Sequence, residues 1–377
     1  MVQLRHEFPV VDNCLYFNHA AVAPWPRRTA EAVYRFAQEN LHYGASHYPD
    51  WLNTERTLRQ QLKTLINAPT IRSIALAKST SEALSMIANG LKWAPGDEVV
   101  ITDQEFPSNR IVWEALSSRG VRVREAELTP AGNPEEAILN EVGPRTRLVS
   151  VSSVQYANGL RLDIARIGAA LRDHPALFCV DAIQSLGAQV FDAQACEADF
   201  VVADGHKWML GPEGLALMYV KPEWLEILEP SEFGWHMVHQ RGDYTRRDWT
   251  PATDATRFEC GSPNMLGIHA LSASLSLLLE VGMETVQRTL EARIDQLYQA
   301  LANTPGIRLL SPEQPERRAG MVTFDIPSHD LAEVYRKLSK SGVVCALRGG
   351  GIRLSPHFYT PAEQIGNVVS RIKASMT

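Results

Sequence analysis

A lysine, a carboxylate and two hydroxyls stand at the ends of three apolar runs in this sequence. Lys207 lies in ADGHKWMLGPEG after residues 200–202, Asp181 ends ALFCVD, and Thr80 and Ser81 follow IALA in KSTSEA. If the runs are neighbouring strands of one sheet, their ends face one crevice. An amine, an acid and an anion-binding helix start suit pyridoxal 5'-phosphate, which needs a lysine for its aldehyde, an acid for its ring nitrogen and a cradle for its phosphate.

Each of these residues also has an ordinary structural explanation. Ser79 and Glu82 have the Ser-x-x-Glu spacing of a capping box, which stabilises a helix start without any ligand. Asp181 suits the N-cap of a following helix, and a loop lysine such as Lys207 is usually solvated. The hypothesis of a cofactor site therefore rests on the combination.

The elements that must position these residues alternate between strands and helices. Between residues 72 and 220, the β-rich runs SIALA, EVVIT, VRVREA, RLVSVSSV, ALFCVDA, DFVVAD and LALMYV are separated by helical segments such as 81–90, 108–119 and 164–172. This alternation predicts βαβ units and an α/β fold with a mainly parallel seven-stranded sheet. Ligands of such sheets bind beyond the carboxyl ends of the strands.

The rest of the chain predicts a smaller α+β unit. An amphipathic segment at 283–303 is followed by MVTFDIP, a helix over 331–341, VVCALR, IRLSP and a last helix from residue 361. We expect a large domain of residues 15–265 and a small domain of residues 1–14 and 266–377. Near the N-terminus, a helix over 28–40 is followed by HYGASHYPDW, which we interpret as a polar-aromatic loop that need not be buried.

Composition narrows the class of partner. The 377 residues are 45% hydrophobic and 21% charged with a net charge of −6, which argues against a nucleic-acid or membrane-surface role and favours a small-molecule partner. The apolar stretch 266–281 is too short and too interrupted to span a bilayer, so we interpret it as a buried helix. The five cysteines are scattered and lack the spacing of a metal site, so we expect reduced thiols and no metal site. The N-terminal residues lack the pattern of a signal peptide, so we expect a cytoplasmic protein.

Several ordered motifs together resemble the class V aminotransferase family. They are STSEA, DAIQ, ADGHK with GPEG, and FECGSPN, and the resemblance extends from YFNHAA to RLSPHFYTPAEQI. This family includes cysteine desulfurases, isopenicillin N epimerase-like proteins and kynureninases. The resemblance implies the pyridoxal-phosphate-dependent transferase fold of the aspartate aminotransferase type, an amino-acid substrate, and a homodimer with shared active sites.

The resemblance also implies a role for individual residues. Lys207 would bind the cofactor aldehyde as a Schiff base, and Asp181 would keep the ring nitrogen protonated. The other cofactor contacts would come from Gln184 at the ring oxygen, Phe106 over the ring face, Thr80, Ser81 and His206 at the phosphate, Ser262 at the phosphate of the neighbouring subunit, and Gln155 or Asn158 near the ring oxygen. The choice between Gln155 and Asn158 stays open.

Substrate contacts are implied in the same way. Arg353 matches the arginine that holds the substrate α-carboxylate, a task suited to a guanidinium fork, and Arg348 is a second candidate. His47, preferred over His42, would reach the substrate, while Asn18 and His19 would line its entrance. A plain hydrogen-bonded role is an equal alternative for His47 and His19.

Three departures from the family pattern affect the expected reaction. Cysteine desulfurases carry a persulfide-forming cysteine on a loop between the positions of Arg348 and Arg353, where this chain has only three glycines. We interpret these three glycines as a tight turn. Cys345 precedes this turn in an apolar run and is expected to be buried. Phe106 replaces the histidine common in desulfurases and can stack but not carry a proton. Asp204 replaces a small hydroxyl residue, and because a carboxylate repels phosphate, we expect it to point elsewhere.

The expected function is therefore that of a pyridoxal-phosphate enzyme that removes the Cα proton of an amino acid. A lyase (C–S or another β-elimination) or an aminotransferase is the leading interpretation, and a persulfide-forming desulfurase is disfavoured. The alternatives are an amino-acid epimerase or racemase, and a catalytically silent binding protein. A nicotinamide-dependent oxidoreductase is disfavoured because the first strands lack a GxGxxG fingerprint.

Overall fold

A seven-stranded sheet forms the centre of the fold. The computed structural model describes residues 2–128 and 132–376. Its strands are β1 (Leu15–Tyr16), β2 (Ile74–Ala77), β3 (Glu98–Thr102), β4 (Arg122–Ala126), β5 (Thr146–Ser152), β6 (Leu177–Asp181), β7 (Phe200–Asp204), β8 (Ala216–Val220), β9 (Arg308–Leu309), β10 (Val322–Asp325), β11 (Val343–Val344), β12 (Ala346–Arg348) and β13 (Gly351–Leu354).

The large sheet has the strand order β2-β8-β7-β6-β5-β3-β4. Strand β8 is antiparallel to both its neighbours, and the other neighbouring pairs are parallel. Each of the seven β-rich runs between residues 72 and 220 forms one of these strands, so the predicted mainly parallel α/β sheet is confirmed. Strands β6, β7 and β8 are buried along their whole length, as expected for strands covered on both faces.

Helices cover both faces of this sheet and surround the smaller unit. They are α1 (Val10–Asn13), α2 (Arg27–Tyr43), α3 (Tyr48–Leu65), α4 (Thr80–Gly90), α5 (Ser108–Glu114), α6 (Pro134–Asn140), α7 (Ile164–Leu171), α8 (Met265–Val281), α9 (Met283–Ala302), α10 (Leu331–Lys340) and α11 (Ala362–Ser375). The helix predicted over 108–119 is divided into α5 and a 3-10 segment, Ala115–Arg119.

The smaller unit contains an antiparallel sheet of order β12-β13-β10-β9, packed with α9, α10 and α11 around a core of its own. Strand β1 pairs in parallel with β11 and so ties the N-terminal segment to this unit. The buried residues of α8 belong to the core beneath the large sheet, although the predicted boundary assigns α8 to the small domain. The boundary itself stays a prediction.

The segment HYGASHYPDW is not one loop. Its first two residues end α2, residues 44–47 form a turn, and α3 begins at Tyr48. Trp51 is buried and its indole N–H donates to Glu39 across the helix pair. The helix was signalled by Trp51, Leu58, Leu62 and Leu65, whose spacing places them on one face, but the polar residues before them obscured its start.

Taken one at a time, the helices of residues 2–128 and 132–376 are too short or too polar to cross a membrane, and only the bent pair α8 and α9 reaches the required length and hydropathy together. Gly282, with φ of +83°, separates these two helices.

A buried ion pair joins α3 to β2 and to the segment before α8. Arg59 donates to both carboxylate oxygens of Glu259, at 2.6 and 2.7 Å, and also to Glu55. Glu259 in turn accepts the backbone N–H of Leu76 in β2 at 2.8 Å. Because the guanidinium of Arg59 is paired with both Glu55 and Glu259, its loss leaves both buried acids without this counter-ion.

We therefore predict that Arg59→Met lowers the free energy of unfolding by about 3–5 kcal/mol, the usual cost of breaking a buried ion pair on one side. Urea or thermal unfolding of the purified protein measures this change. Arg246→Met is the control, because the Arg246–Asp248 pair is exposed and its removal should leave unfolding unchanged. Equal effects of the two substitutions would show that the buried pair has no special role.

Candidate active site

The predicted site residues lie at one edge of the large sheet. Strands β6 and β7 end there at Asp181 and Asp204, and Lys207 follows in the next turn. Across β8, Ala216 pairs with Asp204 on one side and with Ala77 of β2 on the other, so the start of α4 lies at the same edge. The register of the sheet therefore brings together residues that are up to 127 positions apart in sequence, from Thr80 to Lys207.

Lys207 and Asp181 form a buried, electrostatically coupled pair. Lys207 is only 8% exposed, and burial lowers its pKa to about 8, opposed by the charge of Asp181 and reinforced by that of Arg353. Burial likewise raises the pKa of Asp181 to about 7, with the hydrogen bond from Ile183 opposing and the charge of Glu105 adding to the rise. Near neutral pH, both groups can therefore exchange protons.

Asp181 has one carboxylate oxygen free for a ligand. Its Oδ1 accepts the N–H of Ile183 at 3.0 Å, a local turn contact rather than the N-cap of an α-helix. Its Oδ2 is buried without a hydrogen-bond partner. Because buried carboxylate oxygens normally have partners, this atom fits the N–H of a pyridinium ring.

The start of α4 has the features of an anion site. Ser79 caps the helix by accepting the N–H of Glu82, as the capping box predicts, while Glu82 reaches the N–H of Lys78. Thr80 is buried and its Oγ1 has no partner, whereas Ser81 is exposed and donates to Ser108 at 2.7 Å. The Thr80 hydroxyl and the helix amides fit a phosphate group.

The expectation that Asp204 points away from this site is wrong. Its Oδ2 accepts the N–H of Thr80 at 3.2 Å, and its Oδ1 lies 3.3 Å from Nδ1 of His206. The carboxylate satisfies a helix N-terminal amide, and this attraction places it against the start of α4.

The aromatic residue proposed for the ring face is accessible. Phe106 is 40% exposed, so it is not an ordinary core aromatic, and Nζ of Lys207 lies 5.6 Å from its ring centroid. Tyr156 contacts its edge, with the ring centroids 5.1 Å apart. A flat ring bound to Lys207 would therefore find an aromatic neighbour.

The two candidates near the ring oxygen differ in their free atoms. Asn158 uses both ends of its amide, which donates to Gln104 and accepts the N–H of Leu160. Gln155 is buried, its Nε2 donates to Thr102 and Glu105, and its Oε1 has no partner. The structure thus favours Gln155 over Asn158 as a ligand-facing group.

Gln184 is already engaged at both ends of its amide. Its Nε2 donates to the carbonyl of Ala20 at 3.1 Å, and its Oε1 accepts the indole N–H of Trp208 at 2.8 Å. These contacts join the turn after β6 to the N-terminal segment and to the residue after Lys207. Its contact with a cofactor oxygen stays a prediction.

Glu105 is a site residue that the sequence analysis missed. Its buried carboxylate accepts hydrogen bonds from Thr102, Asn109 and Gln155, and from both the N–H and the hydroxyl of Ser152. An ionised carboxylate only accepts, so Gln155 must turn its amide nitrogen toward Glu105 and its oxygen toward the site. The sequence signal was an acid directly before Phe106, which is indistinguishable from a surface acid without coordinates.

Arg353 is a buried cation without an acidic partner among the described residues. Its Nη1 donates to the carbonyl of Tyr156 at 2.5 Å, while its Nε is buried and unpartnered. Burial, together with the nearby charge of Arg348, lowers the pKa of Arg353 to about 10. Arg348 is exposed at the end of β12, and its charge also acts on Lys207. A carboxylate ligand would give the buried guanidinium of Arg353 the hydrogen-bond partner that it lacks.

The two histidines proposed as substrate contacts, His19 and His47, have partners of their own within the protein. His19 is fully buried, with Nδ1 bonded to Ser355 and Nε2 to Tyr359, and burial lowers its pKa to about 4. His47 is in the exposed turn before α3, with Nδ1 3.5 Å from Glu39. These contacts favour the structural alternative for His19 and leave the proposed role of His47 untested. Asn18 keeps one buried, unpartnered oxygen.

Ser262 and the glycine turn occupy the surroundings of the site. Ser262 is exposed and lines a cavity of about 480 Å³ with Lys78 and Glu82, beside the start of α4. Gly349 and Gly350, with φ of +59° and +73°, form the tight β12–β13 turn that the sequence predicts. Cys345 is buried, and this raises the pKa of its thiol to about 12.

Within residues 2–128 and 132–376, no group of three or more His, Cys, Asp or Glu side chains is placed to hold a metal ion.

Comparisons with known proteins agree with this arrangement. The family model "Aminotransferase class-V" matches residues 15–376. A probable cysteine desulfurase of Methanothermobacter thermautotrophicus is 30% identical over 96% of this chain and 94% of its own length. Two solved structures are each 26% identical to this chain. One is a C-DES mutant with glycine covalently linked to the PLP cofactor, with a TM-score of 0.89 and coverage of 98% of each chain. The other is a complex of the cystine C–S lyase C-DES with its reaction product cysteine persulfide, with a TM-score of 0.88 and coverage of 97% of this chain and 98% of the other.

The state of Arg353 leads to a prediction that separates stability from binding. Replacing a buried, unpaired cation by an apolar side chain is often neutral or stabilising, so Arg353→Met should not lower the unfolding free energy, unlike Arg59→Met. The same change should raise the KM for an amino-acid substrate about 10- to 100-fold, because a charge-assisted hydrogen bond to its carboxylate is lost. Thermal unfolding and steady-state kinetics measure the two effects, and destabilisation equal to that of Arg59→Met would contradict the prediction.

Proposed function

Since the chain belongs to the class V aminotransferase family, with pyridoxal 5'-phosphate as its cofactor, we propose that it is a lyase that eliminates sulfur from cysteine or cystine. The observation that carries the choice of reaction is the Gly349–Gly351 turn between Arg348 and Arg353, which has no thiol to receive sulfur. Buried Cys345 does not supply one, because burial holds it in the unreactive thiol form.

Each residue around the cofactor would have a separate role in this reaction. Pyridoxal phosphate supplies an aldehyde that bonds to amines and a ring that accepts the electron pair left on Cα. Asp181 Oδ2 would hold the proton on the ring nitrogen, and the unpartnered Oγ1 of Thr80 would contact the phosphate. Phe106 would cover the ring, and the orientation of Gln155 set by Glu105 would present an acceptor to it.

The substrate is handled by Arg353 and Lys207. Arg353 would fix the α-carboxylate through its unsatisfied N–H groups. Burial lowers the pKa of Lys207, so its Nζ loses a proton more readily than a solvated lysine and would take the Cα proton. Loss of the thiolate from Cβ would leave an enamine, which water hydrolyses to pyruvate and ammonia, and the thiolate would leave as hydrogen sulfide from cysteine or as cysteine persulfide from cystine.

Relatives support a sulfur amino acid but divide on the reaction. The archaeal relative is named a probable cysteine desulfurase, and C-DES is named a cystine C–S lyase. Desulfuration leaves alanine, whereas elimination leaves pyruvate, so the products separate the two reactions. Transamination would leave a keto acid together with the aminated cofactor, and epimerisation would leave the substrate with inverted Cα.

The assignment of Lys207 has a direct test. Lys207→Ala should abolish the visible absorbance of the protein-bound Schiff base and all turnover, because Lys207 is the amine proposed to bond to the cofactor aldehyde. Spectra of the reconstituted proteins measure the first effect. Lys221→Ala is the control, since Lys221 pairs with Glu223 after β8 and should leave both properties unchanged. Retained turnover in Lys207→Ala would contradict the proposal.

The reaction is tested by product analysis. We expect cysteine or cystine to give equimolar pyruvate and ammonia with release of sulfur, and no alanine, in assays with L- and D-enantiomers. Alanine as the main product would instead support desulfuration, with a sulfur acceptor outside the β12–β13 turn. Substrate with inverted Cα would support the epimerase alternative.

We also propose a homodimer with shared active sites. Two sets of exposed apolar side chains support it: Phe233, Trp235, Tyr244 and Trp249 on the segment before α8, and Tyr34, Leu41, Tyr43 and Leu52 on the α2–α3 pair. Large exposed apolar patches usually mark an interface. The family resemblance also places Ser262 against the phosphate of a neighbouring subunit.

Sedimentation should therefore give a mass of two chains of 41.9 kDa each. Leu41→Glu should shift the protein toward single chains and weaken cofactor retention, because an interface buries the new charge. Val190→Glu places the same charge at another exposed apolar position and should leave the mass unchanged. A wild-type protein of single-chain mass would contradict the dimer.

A further inference from the structure

The anion site at the start of α4 contains a carboxylate of its own. Asp204 is 8% exposed and accepts the N–H of Thr80, the first residue of this 11-residue helix. Three neighbouring buried atoms have no hydrogen-bond partner: Oγ1 of Thr80, Oδ1 of Asp204 and Nδ1 of His206. Oδ1 of Asp204 and Nδ1 of His206 lie 3.3 Å apart without good hydrogen-bond geometry, and because buried polar atoms normally have partners, the arrangement leaves room for a ligand to complete it.

The two kinds of group in this site oppose each other. The helix amides and the Thr80 hydroxyl donate, and they favour an anion. The Asp204 carboxylate only accepts when ionised, so it offers a phosphate oxygen no hydrogen bond and repels its charge. A phosphate can therefore bind well here only if the negative charge of Asp204 is neutralised.

Among the charged groups named here, His206 is the one in direct reach of Asp204. Lys207 and Asp181 act electrostatically on each other and with Asp204, so the positive charge of Lys207 is shared between two acids. Glu82, in the first turn of α4, adds a further negative charge and is directed to the N–H of Lys78, whose own side chain lines the cavity beside this helix start. His206 is titratable, and its Nδ1 lies 3.3 Å from Oδ1 of Asp204.

We propose that the Asp204–His206 pair takes up one proton when the phosphate of the cofactor binds at the start of α4. The proton resides on the carboxylate, which then donates to a phosphate oxygen, or on the imidazole, which then neutralises the carboxylate. Either position removes the repulsion and satisfies atoms that have no partner in the free protein. The inference rests on the proposed function, which supplies the phosphate ligand.

Proton uptake fixes the direction of the pH dependence. Above about pH 7 the phosphate monoester is a dianion, since its second pKa is about 6. Binding that consumes a proton weakens as pH rises, by up to about tenfold per pH unit. Asp204→Asn keeps an oxygen that accepts the Thr80 N–H but carries no charge, so it should bind a phosphate ligand about tenfold or more tightly at pH 8.5.

The test uses a probe that does not react with Lys207. The full chain, freed of cofactor, is titrated calorimetrically with 4-deoxypyridoxine 5'-phosphate, which has the ring and the phosphate but no aldehyde, and with 4-deoxypyridoxine, which lacks the phosphate. Titrations in buffers of different ionisation enthalpy give the number of protons taken up. We expect the phosphorylated probe to take up about one more proton than the other, and this difference to vanish in Asp204→Asn.

A matched control comes from another helix start. Asp163 caps α7 by accepting the N–H of Arg166 at 3.0 Å, away from the candidate site, so Asp163→Asn should change neither the proton count nor the affinity. Asp204→Ser, which restores a small hydroxyl, is a second variant should Asp204→Asn fold poorly. The wild-type proton count tests the inference without any substitution.

The outcomes are distinct. Equal proton uptake for the two probes, or weaker binding of the phosphorylated probe by a folded Asp204 variant, overturns the inference while the assigned cofactor stands. If the wild-type protein binds neither probe and forms no Schiff base with pyridoxal phosphate, the proposed function and the inference both fail.

Discussion

The exclusion of water from the sheet edge around Lys207 is the constraint on which the rest of the site depends. A solvated lysine is almost fully protonated at neutral pH, so it cannot attack a carbonyl or take a proton. Burial between β6 and β7 lowers the pKa of Lys207 to about 8, and the same burial raises that of Asp181 to about 7. Burial at this edge thus disfavours the charged form of both groups, while the charge of each one partly opposes the pKa shift of the other.

Burial at this edge leaves several polar atoms without hydrogen-bond partners, which lowers the stability of the fold. Oδ2 of Asp181, Nε of Arg353 and Oε1 of Gln155 are buried without partners, whereas Arg59, equally buried, is fully paired with two acids. Unsatisfied buried groups destabilise a fold, so their concentration at one edge indicates that ligands complete them. The contrast between Arg353 and Arg59 separates a cation kept for binding from one kept for stability.

The sequence predicts the framework better than the details of the site. Strand and helix periodicities identify the seven strands of the large sheet, and motif order identifies the family, because both depend on residues that are close in sequence. Gln184, Asn158, Asp204 and Glu105 each have at least one hydrogen-bond partner more than twenty residues away, so spacing alone could not reveal how these side chains are oriented. Helix α3 was missed because polar residues hide its first turn, although its later apolar residues have helical spacing.

The proposed choice of reaction depends on the tight β12–β13 turn. Arg348 and Arg353 lie on paired strands joined through Gly349 and Gly350, both in the left-handed conformation that glycine favours. So short a hairpin holds the two arginines beside each other and leaves no length for a mobile loop that could carry a thiol to the substrate. Sulfur released at Cβ would therefore find no thiol on this turn, in agreement with the proposed elimination. Because the proposed reactions share the proton transfer assigned to Lys207, the hairpin, rather than the lysine, is the feature that favours elimination over desulfuration.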